Sequence, residues 1–251
     1  MSSEFGTLLF NIDLSKVPKP QLPSPAEDGR IPVYNGDGYA SSILSAISQE
    51  FISFSSSLKY PVLDVGAAYG LTSFSALKKG ATVICNEKEK KQLDYISHID
   101  TITKEEKKRL YLKHGSILEI DFPKNSLGAI HISRVMHFFK PKEVELFFKK
   151  AYEWLIPNGR LYIITMSQYH YANPEGFSDK YNNDLKNGIE FPGMITDYKF
   201  KDEKYVLQAI NPIVLMKVAH KYGFTCKKIE LSGGKDDDYY TCAILVKNYH
   251  H

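Results

Sequence analysis

Residues 60–70 read Y-P-V-L-D-V-G-A-A-Y-G and constrain this chain more than any other stretch. Val62, Leu63 and Val65 form a short apolar run of the buried-strand type. Gly66, Ala67, Ala68, Tyr69 and Gly70 follow as a turn of small residues, and Leu71, Phe74 and Leu77 then share one helical face. Strand, glycine turn and helix in that order aim backbone N–H groups at a nucleotide-like ligand.

The chain keeps this alternation on the C-terminal side. Residues 81–86 (A-T-V-I-C-N), 110–114, 127–133 (L-G-A-I-H-I-S) and 160–166 (R-L-Y-I-I-T-M) read as further buried strands. Between them lie helical patterns: one with Leu93 and Ile96, and one opened by Pro141 that carries Val144, Phe147, Phe148, Ala151 and Leu155. Thr103 and Glu106 have the spacing of a capping box for a short charged helix. Upstream, Ile43, Leu44, Ile47, Phe51, Phe54 and Leu58 predict a helix within residues 39–58. Strands alternating with helices specify a mainly parallel sheet covered on both faces. Asn211 and Pro212 are suited to cap and open a last helix. Residues 225–231 and 239–246, on either side of Gly233-Gly234, predict an antiparallel hairpin at the sheet edge.

Two stretches break the rhythm. Residues 1–38, with Pro18, Pro20, Pro23, Pro25 and Pro32, read as an extended arm whose Phe5, Leu8, Leu9 and Phe10 pack on the body or on a partner. Residues 168–210 are aromatic, polar and poorly periodic, and an insert this long is more often functional than idle. The expected organisation is an arm (1–38) and one domain (39–249) that contains the insert 168–210.

A length of 251 residues, 43% of them hydrophobic and 24% charged, suits one full core. A net charge of +3 is too small to argue for nucleic acid, and the lysines read as solvated helix faces. No apolar run approaches the ~20 residues of a membrane span. No charged segment leading into an apolar one opens the chain, so a cytoplasmic location is expected. Cys85, Cys226 and Cys242 are widely spaced and read as reduced thiols, and no metal site is expected. His250 and His251 resemble a tag remnant and are set aside.

The turn is Gly66-x-Ala68-x-Gly70, which is not the G-x-G-x-x-G spacing of a dinucleotide fingerprint. Asp64 stands two residues before the first glycine, where its charge would repel a pyrophosphate and attract a cation. That favours S-adenosylmethionine (SAM), which carries an ammonium and a sulfonium and no phosphate. Glu87, ending the second strand, can accept both ribose hydroxyls. The plainer roles are a helix cap for Asp64 and a solvated strand end for Glu87.

D-V-G-A-A-Y-G, then N-E after the second strand, then W-L-I-P-N-G-R-L-Y-I leading into the fifth, resembles the class I SAM-dependent methyltransferases. The resemblance covers about residues 40–247 apart from the insert. It implies an α/β, doubly wound, seven-stranded sheet of order 3-2-1-4-5-7-6, with strand 7 antiparallel and helices on both faces. It implies SAM as cofactor, with Asp64, Gly66, Ala67 and Gly70 along its methionine part, Glu87 on the ribose and Lys88 flanking the adenine. Ser116 and Ile117 fall where the family makes adenine contacts, with serine in place of the frequent acid. Ser133 and Arg134 are expected on the cofactor wall.

The segment S-R-V-M-H-F-F after the fourth strand lacks the N-P-P-Y or D-P-P-Y pattern of enzymes that methylate adenine or amide nitrogens. DNA is therefore not the expected substrate. His137, His170 and Tyr171 are the candidate catalytic residues, and the plainer role for His137 is that of a helix-start residue. The aromatic insert reads as a lid that encloses a small molecule methylated on oxygen or nitrogen. The rivals are a protein methyltransferase, a non-catalytic SAM-binding protein acting on a partner, and a nicotinamide-dependent oxidoreductase, for which the fingerprint is missing.

Overall fold

The computed structural model describes residues 4–27, 29–36, 38–170, 173–200, 203–233 and 239–248. The chain divides into two units, residues 1–131 and 132–251.

The first unit contains β1 (Thr7–Leu8), β2 (Ile31–Pro32), β3 (Tyr39–Ala40), α1 (Ala46–Ser55), β4 (Val62–Val65) and α2 (Leu71–Lys78). It continues with β5 (Val83–Glu87), α3 (Lys90–Ser97), α4 (Lys104–Lys107), β6 (Leu110–His114) and most of β7 (Leu127–Ser133). Its sheet order is β1-β6-β5-β4-β7. β4, β5 and β6 run parallel, with Leu63 opposite Ile84 and Cys85 opposite Leu112. Every side chain of β4 and β5 is buried, which is why both read as near-continuous apolar runs. The helix expected within residues 39–58 is α1, capped by Ser45, and Ile43 lies outside it, exposed. The capping box of α4 closes in both directions: Thr103 Oγ1 accepts from Glu106 N–H, and Glu106 accepts from Thr103 N–H.

The first ten residues carry a correction. The expected sheet has seven strands, but the main sheet holds eight, because β1 pairs antiparallel with the edge of β6. Gly6 permits the approach: it sits at φ +117°, and a Cβ there would stand 2.4 Å from the Leu112 carbonyl oxygen. Leu9 is buried, and Phe5 packs edge-on against Tyr111 and stacks with Phe122. Too short and too aperiodic to signal a strand, this stretch pairs only because β6 offers an open edge.

The second unit contains α5 (Pro141–Trp154), β8 (Leu155–Met166), α6 (Phe177–Lys186), β9 (Met194–Phe200), β10 (Glu203–Gln208), α7 (Pro212–Lys221), β11 (Phe224–Gly233) and β12 (Tyr239–Lys247). Its strands in the main sheet lie in the order β8-β12-β11, antiparallel throughout. Asn158, at φ +60°, marks the expected turn inside β8, and pairing with β12 starts beyond it, at Arg160. Cys226 faces Leu245 and Cys242 faces Glu230 across the hairpin, so the two thiols are not partners.

The insert is more regular than its sequence. It holds α6 and the antiparallel pair β9–β10, with Phe177, Tyr181 and Ala209 in a small core of their own against Ile195. Only Phe177 and Tyr181 of α6 are buried, one apolar residue per turn, so the helical period barely shows. Among the described residues, no helix is long and apolar enough to cross a membrane.

Candidate functional site

In the first unit the glycine turn closes on left-handed backbone at Gly66 (φ 64°), Ala68 (φ 50°) and Gly70 (φ 82°). A Cβ on Gly70 would meet the Phe74 ring at 2.7 Å, so this position needs glycine for space as well as for φ. Ala68 pays the steric cost of left-handed backbone, about 1 kcal/mol, and its N–H is held by Glu87 Oε2 at 3.0 Å. Ala67 N–H donates to the Asn86 carbonyl at 3.0 Å, tying the turn to the tip of β5.

Glu87 is buried and heavily bonded. Its Oε1 accepts from Lys88 N–H at 2.8 Å and Glu89 N–H at 3.2 Å, and its Oε2 accepts from Ala68 N–H and from Gln92 Nε2 at 3.3 Å. Burial raises its pKa, against the pull of those backbone N–H groups. The Gln92 amide cannot be flipped without setting oxygen against carboxylate, so its Oε1 is a buried acceptor without a partner among the described residues. Asn86 reaches across β6 and donates to the carbonyls of Lys113 (3.0 Å) and Gly115 (2.9 Å). That bracket holds the loop carrying Ser116 and Ile117. Ser116 Oγ accepts from Leu118 N–H at 3.3 Å, and Ile117 is buried. Lys88 is exposed at the end of β5, and its carbonyl meets His114 Nε2 at 3.1 Å.

Asp64 is 3% exposed and both its oxygens are engaged. Ser73 Oγ donates to Oδ2 at 2.7 Å, and His131 Nδ1 lies 2.8 Å from Oδ1. Neither partner figured in the sequence reading. The signal was available: a histidine in the middle of β7, among Leu127, Ala129, Ile130 and Ile132, all fully buried.

In the second unit Ser133 ends β7, half-buried, and Arg134 follows at φ 57°, its N–H donating to Ile164 O at 2.7 Å. The Arg134 guanidinium lies 4.8 Å from the Tyr240 ring centre, and the same ring meets His170 edge-on at 4.8 Å. His137, in the 3₁₀ turn Met136–Phe138, is buried, and its Nδ1 has no hydrogen-bond partner among the described residues. Burial first, then His170 and Arg134, depress its pKa to about 3. Burial and then Arg134 lower His170 to about 4. Both rings are therefore neutral at pH 7, which suits them to accept hydrogen bonds more than to take protons as bases. Tyr171 lies outside the described residues.

An open cleft of about 580 Å³ follows β8, lined in part by Gln168, His170, Asn173, Asp179 and Tyr239. Asn173 Nδ2 donates to the carbonyls of Ser167 (3.2 Å) and Gln168 (2.9 Å), which fixes the orientation of its amide. Asn173 Oδ1 and Gln168 Oε1 are then buried acceptors with no partner among the described residues. Over the neighbouring 3₁₀ turn, Phe138 meets Tyr205 of β10 with ring centres 6.1 Å apart.

The residues at the glycine turn fit SAM. Two buried carboxylates at strand tips and the open Gln92 oxygen suit a cation that also carries hydroxyls, and they oppose a pyrophosphate. A family described as "Methyltransferase domain" matches residues 63–163. No curated protein matches the chain in sequence. Among solved structures, a SAM-dependent methyltransferase from Methanosarcina mazei superposes with a TM-score of 0.61 at 14% identity, over 82% of this chain and 99% of its own. The 1,6-didemethyltoxoflavin-N1-methyltransferase of Burkholderia thailandensis, crystallised with 1,6-didemethyltoxoflavin and S-adenosylhomocysteine, gives 0.58 at 13% identity, over 81% and 79%. Phosphoethanolamine N-methyltransferase 2 of Haemonchus contortus, in complex with SAM, gives 0.57 at 15% identity, over 80% and 52%. At such identities the solved structures share an α/β fold with this chain, a mostly parallel sheet with helices. The matched residues 63–163 contain the glycine turn, the buried carboxylates of Asp64 and Glu87, and the S-R-V-M-H-F-F segment, so this part of the chain is similar to a methyltransferase domain, and SAM is the cofactor its residues fit.

Proposed function

We propose that this protein is a class I SAM-dependent methyltransferase that transfers the methyl group of SAM to an oxygen or nitrogen of a small molecule held by residues 168–210. The observation that carries the proposal is a pair of amide oxygens at the cleft after β8, Gln168 Oε1 and Asn173 Oδ1, that have no partner among the described residues. A buried carbonyl oxygen left open costs about 1–3 kcal/mol, which an N–H or O–H of an acceptor recovers on binding. Asp179 on the same cleft adds a third acceptor. The solved relatives named for a substrate above both methylate nitrogen, which accords with an acceptor rich in N–H.

SAM supplies an electrophilic methyl group on a sulfonium. In this reading Asp64, Gly66, Ala67 and Gly70 hold its amino-acid end. Glu87 and Gln92 hold the ribose, with Gln92 exchanging its bond to Glu87 for hydroxyl contacts, and Lys88, Ser116 and Ile117 bound the adenine. The resemblance alone would add Ser133 and Arg134 to the cofactor wall. Methyl transfer is an in-line displacement that needs alignment and a dry site more than a strong base. Neutral His170 and His137 fit that demand: each can accept a hydrogen bond from the acceptor. The hairpin β9–β10 acts as the lid.

The test is a cell extract separated into small molecules and proteins, each supplied with enzyme and radiolabelled SAM. Label is expected in the small-molecule fraction. Label confined to the protein fraction would overturn the reading in favour of a protein methyltransferase, and no label in either would favour a SAM-binding protein without catalysis.

A further inference from the structure

A histidine in the buried middle of a strand needs a reason, because desolvating an imidazole is costly unless both nitrogens find partners. His131 has both. Nδ1 lies 2.8 Å from Asp64 Oδ1, and Nε2 lies 3.1 Å from Ser48 Oγ. An ionised carboxylate only accepts, so Nδ1 carries the proton and donates. Nε2 then accepts from the Ser48 hydroxyl. Ser48 in turn meets Ser45 Oγ at 3.0 Å, and Ser45 is the cap of α1. One helical turn further along α1, Phe51 stacks on the imidazole, ring centres 5.0 Å apart and planes 28° apart. Ser73 of α2 closes the chain on the other carboxylate oxygen at 2.7 Å.

Serine, histidine and aspartate in this order resemble a hydrolytic relay, but the chemistry does not follow. Ser48 is 4% exposed, its hydroxyl is already shared with Ser45, and no substrate reaches it. The arrangement has a different consequence. Each Asp64 oxygen has one bond to the protein and, with about two acceptor sites per oxygen, one left open. A donor on Oδ1 and another on Oδ2 together fix the carboxylate plane.

We propose that His131 is a positioning residue for the cofactor, holding Asp64 so that its remaining acceptor sites receive the ammonium group of SAM. The inference rests on the assignment of Asp64 to the amino-acid end of SAM. It adds that α1 and the middle of β7, through Ser48 and His131, set the affinity for that end.

The test uses the full chain and two ligands, SAM and 5′-methylthioadenosine, which lacks the amino-acid end. Calorimetry is run on wild type, Asp64→Asn, His131→Phe and His131→Asn. Phenylalanine keeps the stacking on Phe51 and removes the donor, whereas asparagine puts Nδ2 where Nδ1 stood and restores it. His131→Phe is expected to weaken SAM about tenfold or more, the usual size for a hydrogen bond to a charged group. It should leave methylthioadenosine within about twofold, and His131→Asn should recover most of the SAM loss. Equal SAM affinity in the two variants, or a parallel fall for both ligands, would reduce His131 to a packing residue and overturn the proposal. If Asp64→Asn weakens SAM and His131→Phe does not, the proposal alone fails. If Asp64→Asn binds SAM as wild type does, the assignment of Asp64 fails and the proposal with it.

Discussion

At the scale of single residues, this molecule shows charged and polar groups placed where burial changes their behaviour. His137 is the clearest. In the unfolded chain its imidazole protonates near pH 6.5. In the folded chain burial, His170 and Arg134 hold protonation off until about pH 3. Between those values the unfolded state binds more protons, so stability falls as the pH drops through 6.5 toward 3, by up to about 1.4 kcal/mol per pH unit for one such group. His170, lowered to about 4, adds to the same slope over a narrower range. The thermal midpoint of wild type is expected to fall steeply between pH 6.5 and 4.5, and that of His137→Phe less steeply. Equal slopes would mean that His137 does not carry the acid sensitivity. Asp64 and Glu87 were readable from the sequence as strand-tip acids. Their partners Ser73, Gln92 and His131 were not, because each belongs to a different element and only folding brings it to the carboxylate.

At the scale of elements, local chemistry explains most boundaries. α7 begins where Asn211 Oδ1 accepts from Val214 N–H at 2.8 Å and Pro212 fills the first helical position. Val214, Leu215, Val218 and Ala219 give it a buried face. Asn211→Ala should cost about 1 kcal/mol, measured as a lower urea midpoint at unchanged slope. An unaltered midpoint would mean that the cap is replaced by solvent. The insert shows where such signals fail. β9 reads M-I-T-D-Y-K-F, and its pairing with β10 shifts register between Tyr205 and Leu207. Neither a period of two nor one of 3.6 survives that irregularity.

At the scale of the whole molecule, the arm is where the sequence and the fold part most clearly. Proline-rich and aperiodic, it nevertheless holds on to the first unit at several points. β1 extends the sheet, Tyr69 of the glycine turn donates to the Pro32 carbonyl at 2.5 Å, and His98 Nε2 meets the Val17 carbonyl at 2.9 Å. Deleting residues 1–12 removes buried Leu9 and the rings around Phe5, together about 2–3 kcal/mol. The thermal midpoint is expected to fall by about 5–10 °C, and the bared edge of β6 should scatter light at high concentration. A midpoint within about 1 °C of wild type would show the arm to be a loose attachment.

The sequence by itself determined the parts that depend on neighbours along the chain. These are the strand–turn–helix at residues 60–78, the alternation that makes an α/β sheet, the caps at Thr103 and Asn211, and a carboxylate at each of two strand tips. Periodicity, capping and turn chemistry are local, so they are legible before folding. Only the tertiary structure decided the eighth strand, the order inside the insert, and the bond from β7 to Asp64. Each of these joins residues far apart in the chain, and their pairing depends on which edges and buried polar groups the rest of the fold leaves open.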